Sequence, residues 1–147
     1  MREMPKCRGK REFDGNISPR KWVYGYYLRN ASGVHKIYDT ITKGWIPVDP
    51  KTVGEFVRSY SLNGETKEIW EGDVYAIEDI KNLIFAVTYD EGTPFFTSTI
   101  GGIPWYTVYE ILDEDCREIT YMGNIIDNPE LLETSCDGIS KENKNEN

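Results

Sequence analysis

Lys6, Arg8, Lys10 and Arg11, joined by Arg20 and Lys21, form a dense basic group that runs directly into Trp22 and Tyr24. Cations neutralise phosphates and aromatic rings stack on bases, so this mixture suits an anionic partner with flat faces. Arg8, Lys10, Arg11, Lys21, Trp22 and Tyr24 are therefore the candidate partner-binding residues. Other chemistry is thinly supplied. His35 is the only histidine, in a strand-like stretch with no nucleophile beside it, so neither a Ser-His-Asp nor a Cys-His arrangement has its parts. Cys7, Cys116 and Cys136 are widely spaced and form no C-x-x-C pair, which leaves zinc without a ligand set. Glu71 and Asp73 flank a turn, and Asp113, Glu114 and Asp115 form a tight acidic group; turn chemistry and a solvated loop explain them better than a cation site. Gly101-Gly102 lacks the patterns that cradle phosphates and reads as a turn. No catalytic, cofactor-binding or metal-binding residue is expected, and no cofactor.

The chain that must position these residues has 147 of them, enough for one domain or two small lobes. Hydrophobic residues make up 39% and aromatics 13%, a composition that folds. The longest apolar run, Leu83 to Val87, is far below the roughly 20 residues that cross a bilayer, so no membrane association is expected. The charged start and the three unpaired cysteines lead us to expect no secretory signal and a cytoplasmic protein. The net charge of −8 hides a division: residues 1–70 carry 13 Lys and Arg against 8 Asp and Glu, and residues 71–147 carry 4 against 17. Such asymmetry suits self-assembly of basic on acidic halves, or two surfaces for different partners. It argues against broad nucleic-acid contact by the acidic half.

Strand patterns dominate. Trp22, Tyr24 and Tyr26 alternate with Val23, Gly25 and Tyr27, and Val34 to Ile41 returns after Asn30-Ala-Ser-Gly33 as an antiparallel partner. Asp49-Pro50 predicts a short helical turn, with Asp49 as cap and Pro50 at the first helical position. Asn63-Gly64 and Glu71-Gly72-Asp73 are turns around Glu68 to Trp70, followed by strands Val74 to Ile77, Leu83 to Tyr89, Pro94 to Ile100 and Arg117 to Met122. Trp105 to Leu112 fits both periods, with strand favoured. Asn128-Pro129 predicts a final helical turn, and from Glu133 the apolar content collapses into a tail expected to be disordered.

The order of these pieces resembles the YopX family of phage and prophage proteins. The resemblance rests on Arg8-Gly9-Lys10-Arg11, Trp22-Val-Tyr-Gly25, Val48-Asp49-Pro50 with Thr52-Val53-Gly54, Asn63-Gly64 with Glu71-Gly72-Asp73-Val74, and Gly123-Asn124-Ile125 with Asn128-Pro129-Glu130-Leu131. It implies an all-β fold with few short helical turns, in two intertwined β subdomains, the second an SH3-like small barrel, in a protein of unknown activity that is often oligomeric. The expected division is 1–70 for an N-terminal β-hairpin subdomain, 71–132 for the barrel with its terminal helical turn, and 133–147 for the acidic and polar tail. Three departures stand out. Pro5 and Cys7 interrupt the usual first strand, which places that strand at a sheet edge. Trp70 stands for a common tyrosine, and Arg58-Ser59-Tyr60 replaces Thr-Gly-Leu.

The functional expectation is a phage- or prophage-encoded accessory protein, not an enzyme, that works as a homo-oligomeric binding or adaptor module for a host or phage protein. The alternatives are single-stranded nucleic-acid binding through the basic N-terminal region, or modulation of a host process or defence by sequestration or mimicry.

Overall fold

The computed structural model describes residues 6–12, 21–29 and 31–132 of the chain; Asp14-Gly15, whose residue types predict a turn, Arg20, Cys136 and the tail lie outside these. The described residues form eleven strands, with short helical turns after the fourth, tenth and eleventh: β1 (Lys6–Lys10), β2 (Trp22–Arg29), β3 (His35–Asp39), β4 (Gly44–Pro47), β5 (Gly54–Leu62), β6 (Glu65–Trp70), β7 (Asp73–Ile77), β8 (Phe85–Asp90), β9 (Thr93–Ser98), β10 (Pro104–Thr107) and β11 (Ile119–Asn124). They form two antiparallel sheets, in orders β4-β3-β2-β1-β5-β6 and β10-β9-β8-β7-β11. The all-β class read from the sequence is therefore the class of the fold.

The chain divides into two compact units between Phe56 and Val57, inside β5, and not at residue 70 as expected. Core membership explains the earlier boundary. Val57, Tyr60 and Ile69 all pack with Tyr75, Ile77, Phe85, Val87, Phe96, Val108, Ile111 and Ile119, so the end of β5 and all of β6 belong with the strands that follow.

In the first unit, β2 pairs with β3 antiparallel, as the short loop between them predicts, with Tyr26 opposite Tyr38 and Tyr27 opposite Ile37. One face of this sheet holds a small core of Cys7, Val23, Ile37 and Val48, supported by Tyr27, Ile46 and Val53. Gly25 is obligatory: a Cβ there would lie 1.8 Å from the Tyr38 carbonyl oxygen. β1 does not lie at an edge. It pairs with β2 along its whole length and with β5 through Cys7 opposite Glu55 and Arg8 opposite Gly54. Among the described residues its ladder runs from Lys6 to Lys10, and with β2 on one side and β5 on the other β1 is an interior strand.

The turn at Pro50–Thr52 forms as its residues dictate. The Asp49 carboxylate accepts the Lys51 N–H at 3.0 Å, and the turn is tied to β1 through the Thr52 hydroxyl oxygen, which accepts the buried Lys10 N–H at 2.8 Å. The nine-residue β5 that follows has no counterpart among the sequence expectations.

In the second unit, β7, β8, β9 and β10 follow one another as antiparallel neighbours, and β11 returns beside β7. The ambiguous stretch resolves against a continuous strand. β10 ends at Thr107 and Glu110–Glu114 coils into a π-helical turn, so that Val108 and Ile111 both reach the core while Trp105 and Tyr109 stay outside. Reciprocal bonds fix the change of direction: the Glu110 carboxylate accepts the Thr107 N–H at 2.8 Å, and the Thr107 hydroxyl accepts the Glu110 N–H at 3.0 Å.

Candidate functional site

Antiparallel partners project to the same side of a sheet, so the register assigns each side chain of the first unit to a face. Lys6, Arg8 and Lys10 on β1 stand opposite Tyr26, Tyr24 and Trp22 on β2. Tyr26 and Leu28 stand opposite Tyr38 and Lys36 on β3, which in turn oppose Trp45 and Pro47 on β4. The face away from the Cys7, Val23 and Ile37 core is thus built from aromatic rings and cations, with Leu28, Pro47 and Gly54 as its other members. None of these strand positions carries a carboxylate, in a chain whose net charge is −8.

The six candidate residues are not equivalent on this face. Arg8 and Lys10 are only 6% and 7% exposed. The Arg8 guanidinium lies 4.6 Å from the centroid of the Trp22 ring and the Lys10 ammonium 4.7 Å from it, so one indole engages both cations. Such contacts are worth roughly 0.5–1 kcal/mol when exposed and about 2 kcal/mol when desolvated, which places these two within the fold's own stabilisation. Lys6 is exposed and lies 4.6 Å over Phe56. Arg11 and Lys21 are exposed where the β1–β2 pairing ends, with the Arg11 N–H donating to the Lys21 carbonyl at 3.0 Å. Tyr24 is 42% exposed, and it is accompanied by Tyr26 at 42%, which the alternation had already placed with it, and by two residues not singled out from the sequence, Leu28 at 44% and Trp45 at 44%. Leu28 continues the alternation of Trp22, Tyr24 and Tyr26, so period two alone could have found it. Trp45 joins them only through β4 pairing, where its ring meets Tyr38 edge-on at 5.3 Å between centroids.

His35 is on the other side of the strand from this face. Its Nδ1 is hydrogen-bonded to the Tyr27 hydroxyl, and the two rings stack at 5.7 Å.

The second unit has an open groove of about 340 Å³ between the end of β5, the π-helical turn and the segment leading into β11. Arg58, Tyr60, Leu112, Asp113 and Arg117 line it, with the exposed thiol of Cys116. The acidic group at 113–115 is engaged here by guanidinium groups: Arg58 Nη1 is 2.7 Å from Asp113 Oδ2, and Arg117 Nε is 4.0 Å from Asp115 Oδ2. Among the described residues no group of three or more His, Cys, Asp or Glu could hold a metal ion.

The residues that carry the family resemblance do structural work. The buried Asp73 carboxylate accepts the Trp70 N–H at 2.9 Å and the Tyr75 hydroxyl at 3.3 Å. Burial, with the Asp73 charge and the Tyr60 and Tyr121 hydroxyls behind it, pushes the Tyr75 phenol far above its ordinary range; burial and Asp73 raise Tyr60 as well. Glu71-Gly72 is locked to Gly123-Asn124: Asn124 pairs with Asp73, and the Ile125 N–H donates to the Gly72 carbonyl at 2.9 Å. The Asn124 side-chain oxygen accepts the Ile126 and Asp127 N–H groups, and Asn128 Oδ1 accepts the Asn124 N–H. Gly123, at φ 136°, leaves the space that Asn128 fills, since a Cβ would sit 2.5 Å from its Oδ1. Pro129 then opens the terminal 3-10 turn Pro129–Leu132, and in the first unit Asp49, Pro50, Val53 and Gly54 form the capped turn and the entry to β5.

No helix among the described residues is long and apolar enough to cross a membrane. No curated protein matches the chain. The profile of the family described as YopX protein matches residues 60–133, half of the chain, a range that takes in Asn63-Gly64, Glu71-Gly72-Asp73, Gly123-Asn124 and Asn128-Pro129. The protein is a member of the YopX family.

Proposed function

We propose that this YopX protein is a non-enzymatic binding module, a phage-type accessory protein of the bacterial cytoplasm, which docks a partner on the outer face of its N-terminal sheet. One observation carries the reading. Tyr24, Tyr26, Leu28 and Trp45 stand exposed together on one sheet face, while the opposite face of the same strands supplies the core. Scattered exposed apolar residues are ordinary, but a contiguous patch of large ones, rimmed by polar groups, marks an interaction surface. Tyrosine and tryptophan bury much area at little entropic cost, which makes them the usual anchors of interfaces. The reading takes the second unit as the SH3-like barrel of the family, a compact scaffold, and assigns the charge asymmetry between residues 1–70 and 71–147 to assembly of an oligomer.

A photo-crosslinking amino acid at Tyr26, compared with one at the exposed Glu65 on β6, tests this in producing cells. A discrete adduct formed from position 26 and not from position 65 is expected, whatever the chemical class of the partner. Equal, diffuse labelling from both positions refutes the reading.

A further inference from the structure

We infer that the groove of the second unit binds a free α-amino acid with an apolar side chain, at a site that shares no residue with the docking face of the N-terminal sheet. Its size suits one small molecule: about 340 Å³ lies at the lower end of the ~300–1,000 Å³ of ligand pockets. One wall is the end of the π-helical turn Glu110–Glu114 with the segment after it, and such turns are frequent at functional sites.

Charge selects the class of ligand. Arg58, Arg117, Asp113 and Glu118 all line the groove, two cations with two anions. Arg58 and Asp113 engage each other, Nη1 lying 2.7 Å from Oδ2. Arg117 and Glu118 are left open. Arg117 Nε is 4.0 Å from Asp115 Oδ2, too long for a hydrogen bond, and the guanidinium carbon is 5.7 Å from the centroid of Tyr106. Among the described residues, then, none of the five N–H donors of this guanidinium is used. Glu118 is exposed; its backbone N–H donates to Glu78 Oε1 at 2.9 Å, but no hydrogen bond or ion pair among the described residues engages its own carboxylate. An open guanidinium and an open carboxylate on one groove match the carboxylate and the ammonium of a zwitterion. A plain anion fits less well, because residues 71–147 carry 4 Lys and Arg against 17 Asp and Glu and repel it. A plain cation would pair with Glu118 and leave Arg117 unmatched. The remaining lining sets the side chain. Tyr60, Leu112 and Ile119 belong to the hydrophobic core of this unit and turn an apolar surface to the groove, which favours leucine or phenylalanine over a polar amino acid.

Loss of one charge-assisted hydrogen bond should weaken such a ligand by roughly tenfold. The test is a chemical-shift titration of the full, isotope-labelled chain with L-leucine and L-phenylalanine, beside their N-acetyl forms, which lack the ammonium, and their amides, which lack the carboxylate. Saturable shifts in the groove residues are expected from at least one parent amino acid by about 10 mM, with both of its derivatives roughly tenfold weaker. This comparison uses the unaltered chain, so it does not depend on how a variant folds. Arg117→Gln and Glu118→Gln should each weaken the parent about tenfold, and Lys36→Gln in the first unit should leave it unchanged. Absence of saturable shifts from both amino acids overturns the inference, as does binding of the derivatives as tight as that of the parents, or insensitivity to both groove variants.

Discussion

Tyr75→Phe should lower stability at neutral pH and raise it at high pH, with the two proteins equal near pH 11. The Tyr75 hydroxyl donates to the buried Asp73 carboxylate at 3.3 Å, a long bond. Its length offsets the gain from the charged acceptor, so its loss costs about 1 kcal/mol, the worth of an ordinary hydrogen bond. Burial first, then the Asp73 charge, raises the Tyr75 phenol well above the value of an unfolded tyrosine, about 10. A raised folded value gives stability that is fully present below pH 10 and is lost as pH climbs above it, because the unfolded chain then ionises and the native phenol does not. The loss is about 1.4 kcal/mol per pH unit for this one group. Phenylalanine fills the same space without titrating, so the variant escapes that slope and its initial deficit is cancelled within about one pH unit. Tyr60, also raised by burial and Asp73, remains in both proteins and leaves a shared residual slope. Urea unfolding followed by tryptophan fluorescence from pH 7 to about 11.5 measures both curves. Parallel curves, with no convergence above pH 10, would refute the placement of Tyr75 and Asp73 in one buried pair.

Gly25→Ala should destabilise the first unit by about 3 kcal/mol or more, read by urea unfolding, since β2 and β3 must part by over ~1 Å to clear the Tyr38 carbonyl. Thr52→Val should cost about 1–3 kcal/mol by leaving the buried Lys10 N–H without its acceptor, whereas Thr52→Ser should restore most of the loss in the same assay. Light scattering after size-exclusion chromatography should show an oligomer at low salt that dissociates at high salt; a salt-insensitive monomer refutes self-assembly by the charge asymmetry.

Local signals were legible in the sequence, and long-range ones were not. The β2–β3 hairpin, the Asp49-Pro50 turn and the turns at Asn63-Gly64 and Glu71-Gly72-Asp73 each follow from residues a few positions apart. β5 was missed although it neighbours β6 across the legible Asn63-Gly64 turn: Gly54 at its start reads as the end of the preceding turn, and its other neighbour, β1, is nearly fifty residues earlier, with Arg8 opposite Gly54 and Cys7 opposite Glu55. The same missing strand hid the central position of β1. Trp105 to Leu112 satisfied two periods because it changes conformation midway, at Thr107.

The candidate site was half legible. Trp22 and Tyr24 were read from alternation, and the basic group from composition. Composition could not show that the Trp22 ring engages both Arg8 and Lys10, nor could it bring Trp45 onto the face, because both depend on strand register.

Hydroxyl-radical footprinting of the full chain, read residue by residue by mass spectrometry in producing cells and on the purified chain, tests the docking face most directly. Tyr109 and Tyr121 in the second unit, 57% and 53% exposed, serve as internal controls for Tyr24, Tyr26 and Trp45. Protection of Tyr24, Tyr26 and Trp45 with unchanged labelling of Tyr109 and Tyr121 is the predicted result. Unchanged labelling of the N-terminal rings, or protection confined to Tyr109 and Tyr121, would contradict the account.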